Sequence, residues 1–187
     1  SCNKIEGFHN SDEVIRMAME KSDYEVDVED WDADVDWSQY DALIFRSTWD
    51  YFEREVEFRA FLEKLENIDV KIFNNLNVVN KNIHKFYLKE FEELGVNIIP
   101  SIFIPKGRNK KLKEYIPLEW DKLVIKPAFS GGAYLTKLFE MDQIDSIEEE
   151  YKQHLEDGDF IIQQFIPEIQ TEGEVSLLFF NKQYSHA

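Results

Sequence analysis

Hydrophobic positions in the first 75 residues recur at spacings that predict helices alternating with short strands. Phe58, Leu62 and Leu65 follow the helical period, whereas the unbroken apolar run Ala42–Phe45 is typical of a buried parallel strand. The predicted helices are Asp12–Lys21, capped by Asn10 or Ser11, and 53–66, and the predicted strands are Tyr24–Val28, Ala42–Phe45 and Val70–Phe73. This alternation predicts an α/β unit with a parallel sheet over residues 1–75.

From residue 76 onward strands follow strands, which predicts an α+β unit with an antiparallel sheet over residues 76–187. Gly95 and Gly158 are placed to end two helices, and Asn181-Lys182 is typical of a hairpin turn. The predicted helices are Lys81–Leu94 and Ile144–Leu155, and the predicted strands are Val96–Ile99, Ile102–Ile104, Leu123–Pro127, a segment ending at Leu138, Phe160–Gln164, Val175–Phe180 and Gln183–Ala187.

The composition is that of a folded protein, since 43% of the 187 residues are hydrophobic and 14% are aromatic. No apolar run approaches the roughly 18 residues that a membrane span requires, so no membrane partner is expected. The single cysteine, Cys2, excludes an internal disulfide framework and a cysteine-based zinc site. We therefore expect a reducing, cytoplasmic setting.

The net charge of −17 argues against nucleic acid as a partner, because a second polyanion would be repelled. Residues 1–60 carry 17 acidic and 6 basic side chains, whereas residues 71–137 carry 6 acidic and 12 basic ones. The basic middle segment indicates either a local anion site, with phosphate as the candidate, or a solvated lysine face around Lys106–Lys113. Charge alone favours the solvated face.

Lys126 ends an otherwise apolar strand, where an unpaired charge would be costly. The small residues Ser130, Gly131 and Gly132 follow it, and such loops let backbone N–H groups approach an anion closely. Together they predict a triphosphate site. The alternative is a lysine that extends to solvent beside an ordinary turn. The spacing does not match the P-loop pattern.

The apolar strand Phe160–Gln164 leads into an extended segment, Phe165–Pro167. Its backbone groups could bind the edge of an adenine, and Glu172 or Glu174 could accept hydrogen bonds from ribose. From spacing alone, a plain strand and turn with two solvated glutamates is the simpler interpretation.

The segment Arg46–Tyr51 follows a predicted parallel strand, at the sheet edge where ligands of α/β proteins bind. Arg46 could hold a carboxylate, Trp49 and Tyr51 could form walls, and Asp50 could hold Arg46 or a substrate amine. An Arg46–Asp50 pair that only braces the loop is the alternative.

Seven short segments also occur in a recognisable order along nearly the whole chain. They are Arg46–Tyr51, Asn80–Leu88, Leu94–Val96 with Pro100, Val124–Pro127 with Ser130–Ala133, Gln164–Pro167, Glu172–Glu174 and Ser185–Ala187. This series resembles the ATP-grasp superfamily, most closely the ligases related to bacterial glutathione synthetase and to the cyclo-ligase of cycloserine biosynthesis. The resemblance implies a substrate-binding pre-ATP-grasp unit over residues 1–75 and an ATP-grasp domain over residues 76–187.

The resemblance also implies roles for individual residues. ATP would bind to Lys85, Lys126, Ser130, Gly131, Gly132, Gln164, Phe165, Ile166 and Glu174, with Glu172 as the second choice for ribose. Substrate would bind to Arg46, Trp49, Asp50, Tyr51 and His186, with Lys126 and Arg46 as catalytic residues.

The implied function is an ATP-dependent carboxylate–amine (or thiol) ligase that forms an acyl phosphate on an amino-acid or peptide-like molecule. Its partners would be small-molecule carboxylate and amine substrates, and a homo-oligomer is left open. The alternative is an ATP-binding regulatory module of the same fold without ligase activity.

The family has a strand that would lie before Ser1 and magnesium ligands that would lie after Ala187. We therefore expect this sequence to be a fragment that lacks the first strand and the C-terminal part of the ATP-grasp domain. ATP and Mg²⁺ are the expected cofactors, no metal ligand is assigned within the sequence, and the fragment is expected to be inactive.

Overall fold

The computed structural model describes residues 9–187, and its N-terminal unit contains a short parallel sheet. Strand β1 (Ala42–Ile44) pairs with β2 (Lys71–Phe73), with Leu43 opposite Ile72, which confirms the predicted parallel pairing. Helix α2 (Glu55–Glu66) connects the two strands and buries Phe58, Leu62 and Leu65 at 1% exposure each.

Two predictions for the N-terminal unit are wrong. Helix α1 is His9–Glu20, so Asn10 and Ser11 lie within its first turn rather than before it. The alternating segment Tyr24–Val28 is not a strand, because no described segment pairs with it and its outer residues Tyr24 and Val28 are exposed. Cys2 lies outside the described residues.

The second unit is built on an antiparallel sheet, as the sequence predicts. The sheet has four strands in the order β3-β6-β4-β5. Its strands are β3 (Ser101–Ile104), β4 (Lys122–Pro127), β5 (Lys137–Glu140) and β6 (Phe160–Gln164). A separate hairpin joins β7 (Leu178–Phe180) to β8 (Gln183–His186) through Asn181 and Lys182, both at positive φ. The predicted strand Val96–Ile99 does not form, and Val96 and Ile99 are exposed.

The predicted helix Lys81–Leu94 is instead two helices, α3 (Leu76–Asn82) and α4 (Tyr87–Glu93). Likewise, the helix predicted over Ile144–Leu155 is divided at Tyr151 into α5 (Ile144–Glu150) and α6 (Lys152–Asp157). A short helix that the sequence analysis did not predict, α7 (Glu168–Thr171), follows β6. Gly95, at φ +79°, ends α4 as predicted.

Two hydrophobic clusters form the core. The cluster of the second unit packs α5 and α6 against one face of the sheet through Ile125, Leu155 and Ile162, each with 0% exposure. The other cluster surrounds Trp31 and Phe58 and takes in Ile83 and Phe129, which lie beyond the predicted boundary at residue 75. The two units therefore share this second cluster. In the described part of the chain, no helix combines the length and apolarity needed to cross a membrane.

Candidate functional site

The break between α3 and α4 places Lys85 beside the end of β4. At this break the Lys85 backbone N–H donates to the Ala128 carbonyl at 2.8 Å, and His84 forms an isolated β-bridge with Phe129. These bonds to a distant strand replace the bonds that a continuous helix would make. Lys85 consequently leaves the helix and reaches the residues that follow β4.

The ammonium of Lys85 binds Ser130 at two atoms. It donates to the Ser130 carbonyl and, at 2.8 Å, to Ser130 Oγ. Ser130 Oγ in turn donates to the Pro127 carbonyl at 2.9 Å, and Ser130 is buried at 5% exposure. Lys85 and Ser130, which are far apart in sequence, are therefore neighbours, as the resemblance implied.

Alternation along β4 places Lys126 on the sheet face opposite the core. Leu123 and Ile125 point into the cluster of the second unit, so Lys126 points away from it, opposite Ile161 of β6 in the strand register. Burial lowers the pKa of Lys126, while the charge of Glu174 raises it. The two-residue period of a strand thus fixes the direction of this ammonium.

Two part-buried cations near one another make this region electropositive. Burial, followed by the charge of Lys126, lowers the pKa of Lys85 to about 8. Like charges raise each other's energy in a region with little water, and an anion between them would relieve that cost. Glu174 acts on Lys126 from the segment after β6. The arrangement is suited to a polyphosphate.

The small-residue loop, Ser130–Gly132, is packed closely against the N-terminal unit. A Cβ added at Gly131 would lie 2.9 Å from the ring of Phe52, so no larger residue fits without displacing Phe52. Gly132 has φ +54°, a conformation that favours glycine. The backbone conformation therefore favours glycine at position 132, and the packing of Phe52 favours it at position 131.

The segment after β6 has the extended, part-buried form that the resemblance implied. Gln164 N–H donates to the Pro100 carbonyl at 3.1 Å and Phe165 N–H donates to the Lys122 carbonyl at 2.9 Å. These two N–H groups are used by the protein, whereas Ile166 N–H has no hydrogen-bond partner among the described residues. Ile166 is thus the residue of the three whose N–H could bind a base edge.

Arg46 and the loop that follows β1 line a cavity that lies between the N-terminal unit and helix α3. Arg46 Nε donates to Asp12 Oδ1 of α1 at 2.9 Å, and Ser47 Oγ donates to the same oxygen at 3.0 Å. The cavity, which we call the first-unit cavity, has a volume of about 490 Å³. Its lining includes Phe45, Arg46, Ser47, Thr48, Trp49, Tyr51, Asn74, Val79 and Asn82.

Asp50 lies below this loop rather than on its surface. It is buried at 6% exposure, accepts a 2.7 Å hydrogen bond from Trp31 Nε1, and lies 3.6 Å from Arg54 Nη1. The Arg54 guanidinium also stacks on the Trp31 ring. These partners favour a bracing role for Asp50 over the substrate role that the sequence analysis assigned to it.

The structure does not bring His186 to the other predicted site residues. It lies in β8, where its Nδ1 is 3.0 Å from Ser185 Oγ, and it is exposed. Among the described strands, β8 pairs with β7 alone. A substrate role for His186 therefore has no geometric support here.

Some residues at the site were missed by the sequence analysis. Asn74 follows β2, lines the first-unit cavity and donates to the Phe45 carbonyl at 3.0 Å. The rule that ligands bind beyond the carboxyl ends of parallel strands would have found it, had we applied the rule to β2 as well as to β1. The pair His84 and Asp159, 3.1 Å apart, carried no comparable sequence signal.

Within residues 9–187, no group of three or more His, Cys, Asp or Glu side chains is placed to hold a metal ion.

Lysines from two separate elements lie near one small-residue loop, beside a strand that leads into an extended segment. This arrangement is consistent with the ATP-grasp resemblance found in the sequence. Residues 1–74 match the family model described as the D-cycloserine synthetase DcsG N-terminal domain. The chain is 30% identical over 168 residues to the cycloserine biosynthesis protein DcsG of Streptomyces lavendulae, covering 84% of this chain and 54% of that protein.

The fold agrees with this relationship. The crystal structure of D-cycloserine synthetase DcsG superposes with a TM-score of 0.85 and 25% identity, covering 92% of this chain and 60% of that one. The chain is therefore a homologue of DcsG, and it spans between half and two thirds of the length of these two relatives.

Proposed function

We propose that the chain provides the ATP-binding and substrate-binding surfaces of an ATP-dependent carboxylate–amine ligase. The observation that carries this proposal is the convergence of Lys85, Lys126 and the small-residue loop at a point that Tyr51 links to the first-unit cavity. The geometry thus offers one site for a polyphosphate and an adjoining site for a small molecule. The homology to a synthetase supports the same conclusion.

In this proposal Lys85 and Lys126 bind the phosphates of ATP, Gln164–Ile166 bind adenine, and Glu174 binds ribose. Charged hydrogen bonds to phosphate are the strong ones, so the two ammonium groups supply most of the phosphate affinity. The small-residue loop excludes water from the same phosphates. Catalysis then comes from positioning and from neutralising charge, and no covalent nucleophile of the protein is required.

In the proposed reaction a substrate carboxylate oxygen attacks the γ-phosphorus of ATP. The bond from that phosphorus to the bridging oxygen breaks, giving an acyl phosphate and ADP. An amine nitrogen then attacks the acyl carbon, the bond between that carbon and the phosphate oxygen breaks, and the amine loses a proton as phosphate leaves. Arg46 would orient the carboxylate in the first-unit cavity. Mg²⁺ would supply further charge neutralisation on the phosphates.

The relatives' names point to the substrate class. They are named for the synthesis of D-cycloserine, so we propose an amino-acid-like acceptor small enough for a cavity of about 490 Å³. Trp49 and Tyr51 would contact its apolar part and Arg46 its carboxylate.

Release of ADP by the complete gene product tests the proposal. The protein is incubated with ATP, Mg²⁺ and a panel of amino acids and amines. ADP and any coupled product are then measured, with D-cycloserine as one candidate product. Amino-acid-dependent ADP release by wild type, lost in Lys126→Ala and kept in the surface variant Lys111→Ala, is the expected result. Nucleotide binding with no ADP release under any condition would instead support the regulatory module.

A further inference from the structure

The neighbouring side chains of Tyr51 and Phe52 join the first-unit cavity to the small-residue loop. The Tyr51 ring lines the cavity, while the Tyr51 hydroxyl donates to the Ser130 carbonyl at 3.0 Å. The Phe52 ring lies against Gly131 and, with a centroid separation of 5.3 Å, against Tyr134. Two consecutive residues of the N-terminal unit therefore contact the loop on which the proposed phosphate site depends.

The Ser130 carbonyl is shared between two donors, the Tyr51 hydroxyl and the Lys85 ammonium. A triphosphate offers Lys85 anionic oxygens, which bind an ammonium more strongly than a neutral carbonyl does. When Lys85 turns to phosphate, Tyr51 keeps the carbonyl alone. Because the carbonyl is then no longer shared, its hydrogen bond with the Tyr51 hydroxyl should become shorter, and the Tyr51 wall of the first-unit cavity should move toward Ser130.

Tyr51 is held firmly enough to transmit such a change. Its ring packs at centroid distances of 5.4 Å from Phe129 and 5.6 Å from Phe58, so a shift of the hydroxyl moves the ring within a packed aromatic cluster. Burial raises the pKa of Tyr51, so the hydroxyl keeps its proton and remains a donor at neutral pH. Trp49, which lines the same cavity, lies two residues away.

We propose that Tyr51, supported by Phe52, is a positioning residue that couples nucleotide binding at the small-residue loop to the shape of the first-unit cavity. The inference rests on the proposed function for the nature of the nucleotide. Because coupling between two binding sites is reciprocal, an acceptor in the cavity would alter nucleotide affinity by the same factor.

Trp49 gives a direct measurement of the coupling. It is 40% exposed, whereas Trp31, Trp37 and Trp120 are 4%, 8% and 8% exposed, so acrylamide quenching of tryptophan fluorescence reports mainly on Trp49. The probe is AMPPNP, a non-hydrolysable ATP analogue, added to saturation as determined by calorimetry on the same protein. We expect AMPPNP to change the quenching constant of wild type and to have no such effect in Tyr51→Phe, which loses the hydroxyl but keeps the ring.

The controls separate this coupling from other effects. Trp49→Phe should remove the AMPPNP-dependent signal. Tyr115→Phe, which deletes the hydroxyl of a part-buried tyrosine packed against the cluster of the second unit, should leave it intact. Phe52→Leu, which loosens the contact with Gly131 but spares the Tyr51 hydrogen bond, should reduce the response and serves as the deciding variant if Tyr51→Phe fails to fold.

Three results would overturn the inference, and they are distinguishable. Saturated AMPPNP binding without any change in wild-type quenching would reject the coupling and leave the proposed function intact. An unchanged response in Tyr51→Phe, or in Phe52→Leu where that variant decides, would assign the coupling to other residues. Absence of AMPPNP binding to folded wild type would reject the proposed function and the coupling with it.

Discussion

Lys85 and Lys126 are cations held where water is partly excluded, and this sets the chemistry of the proposed phosphate site. Burial lowers the pKa of both, and the nearby charge of Lys126 lowers that of Lys85 further, to about 8. Glu174 acts in the opposite direction on Lys126. Of the two lysines, Lys85 is therefore the one that we expect to lose its charge near pH 8.

Nucleotide affinity should fall as the pH rises above 8. Lys85 is protonated below its pKa of about 8, and the charged form is the one that binds phosphate. Bound phosphate raises this pKa, so binding takes up a proton between the free and the bound pKa, and affinity falls by up to about tenfold per pH unit there. Calorimetry with AMPPNP at pH 7 to 10 measures this. Lys85→Arg stays charged throughout and should flatten the profile; an equally steep profile in that variant would assign the titration to another group.

Lys126→Ala should weaken AMPPNP binding far more than Lys110→Ala or Lys111→Ala. Lys126 is part-buried and points away from the core, whereas Lys110 and Lys111 are exposed. A charged hydrogen bond is worth roughly 1.5–3 kcal/mol, which corresponds to about a tenfold to hundredfold loss of affinity. Titration calorimetry of the three variants makes the comparison. Equal affinities in wild type and Lys126→Ala would contradict the assignment.

Arg46→Ala in the complete gene product should raise the KM for the carboxylate substrate and leave AMPPNP affinity nearly unchanged. Arg46 lines the first-unit cavity and pairs with Asp12, on the opposite side of Tyr51 from the two lysines. Steady-state kinetics and calorimetry measure the two effects. A matching loss of AMPPNP affinity would show that Arg46 serves the nucleotide or the fold instead.

At the scale of elements, the junction between α3 and α4 depends on Asp159. Its carboxylate lies 3.1 Å from His84 Nε2 and accepts a 2.6 Å hydrogen bond from Lys106 N–H, while its backbone carbonyl accepts from Ala128 N–H at 2.8 Å. One residue thus ties the helix junction, the segment after β3 and the end of β4 together. As a result, Asp159 holds Lys85 at the helix junction close to Lys126 at the end of β4.

Asp159→Ala should therefore weaken AMPPNP binding although Asp159 is not assigned to the nucleotide. The backbone of Lys85 loses a support. The exposed Lys106 N–H loses its acceptor but can bond water instead, so we expect a loss of only about 0.5–1.5 kcal/mol in the free energy of unfolding. Thermal unfolding and calorimetry measure the two effects. Asp157→Ala, an exposed neighbour that bonds only Gln153 in its own helix, is the matched control and should change neither. Wild-type AMPPNP affinity in Asp159→Ala would reject the positioning role of Asp159.

At the scale of the whole molecule, the aromatic cluster around Trp31 and Phe58 joins the two units. Phe129 enters it from the end of β4, with its ring 5.4 Å from Tyr51 and 5.0 Å from the Arg59 guanidinium carbon. Ile83 enters it from the junction between α3 and α4. Because this cluster draws on both sides of residue 75, we expect the two units to unfold together.

Phe129→Ala should lower stability and separate the unfolding of the two units. Truncation of a buried Phe costs about 3–5 kcal/mol, and the part-buried Phe129 should fall at or below the lower end of that range. Differential scanning calorimetry should show one transition in wild type and a broadened or double transition in the variant. Phe180→Ala, at a position that is 64% exposed, should leave the transition unchanged. A single sharp transition at the wild-type temperature in Phe129→Ala would contradict the shared core.

The sequence by itself determined the elements whose signals are local. The strands β1 and β4 and the Asn181-Lys182 turn were all predicted, because an apolar run or a turn dipeptide acts over neighbouring residues. The burial expected for β1 was wrong, since Ala42 and Ile44 are exposed. The ATP-grasp resemblance was also found from the sequence, because the segments that carry it are short and local. The homology to DcsG confirms it.

Tertiary structure alone decided how these elements meet. The helix break at Lys85 depends on the Ala128 carbonyl, and the environment of Asp50 depends on Trp31 and Arg54. The link between the first-unit cavity and the small-residue loop depends on Tyr51 and Ser130. Each of these contacts joins groups that are remote in sequence. The helical period of apolar residues continues through the break at Lys85, because it shows only which side of a helix is apolar. It does not show which distant group will accept a backbone hydrogen bond.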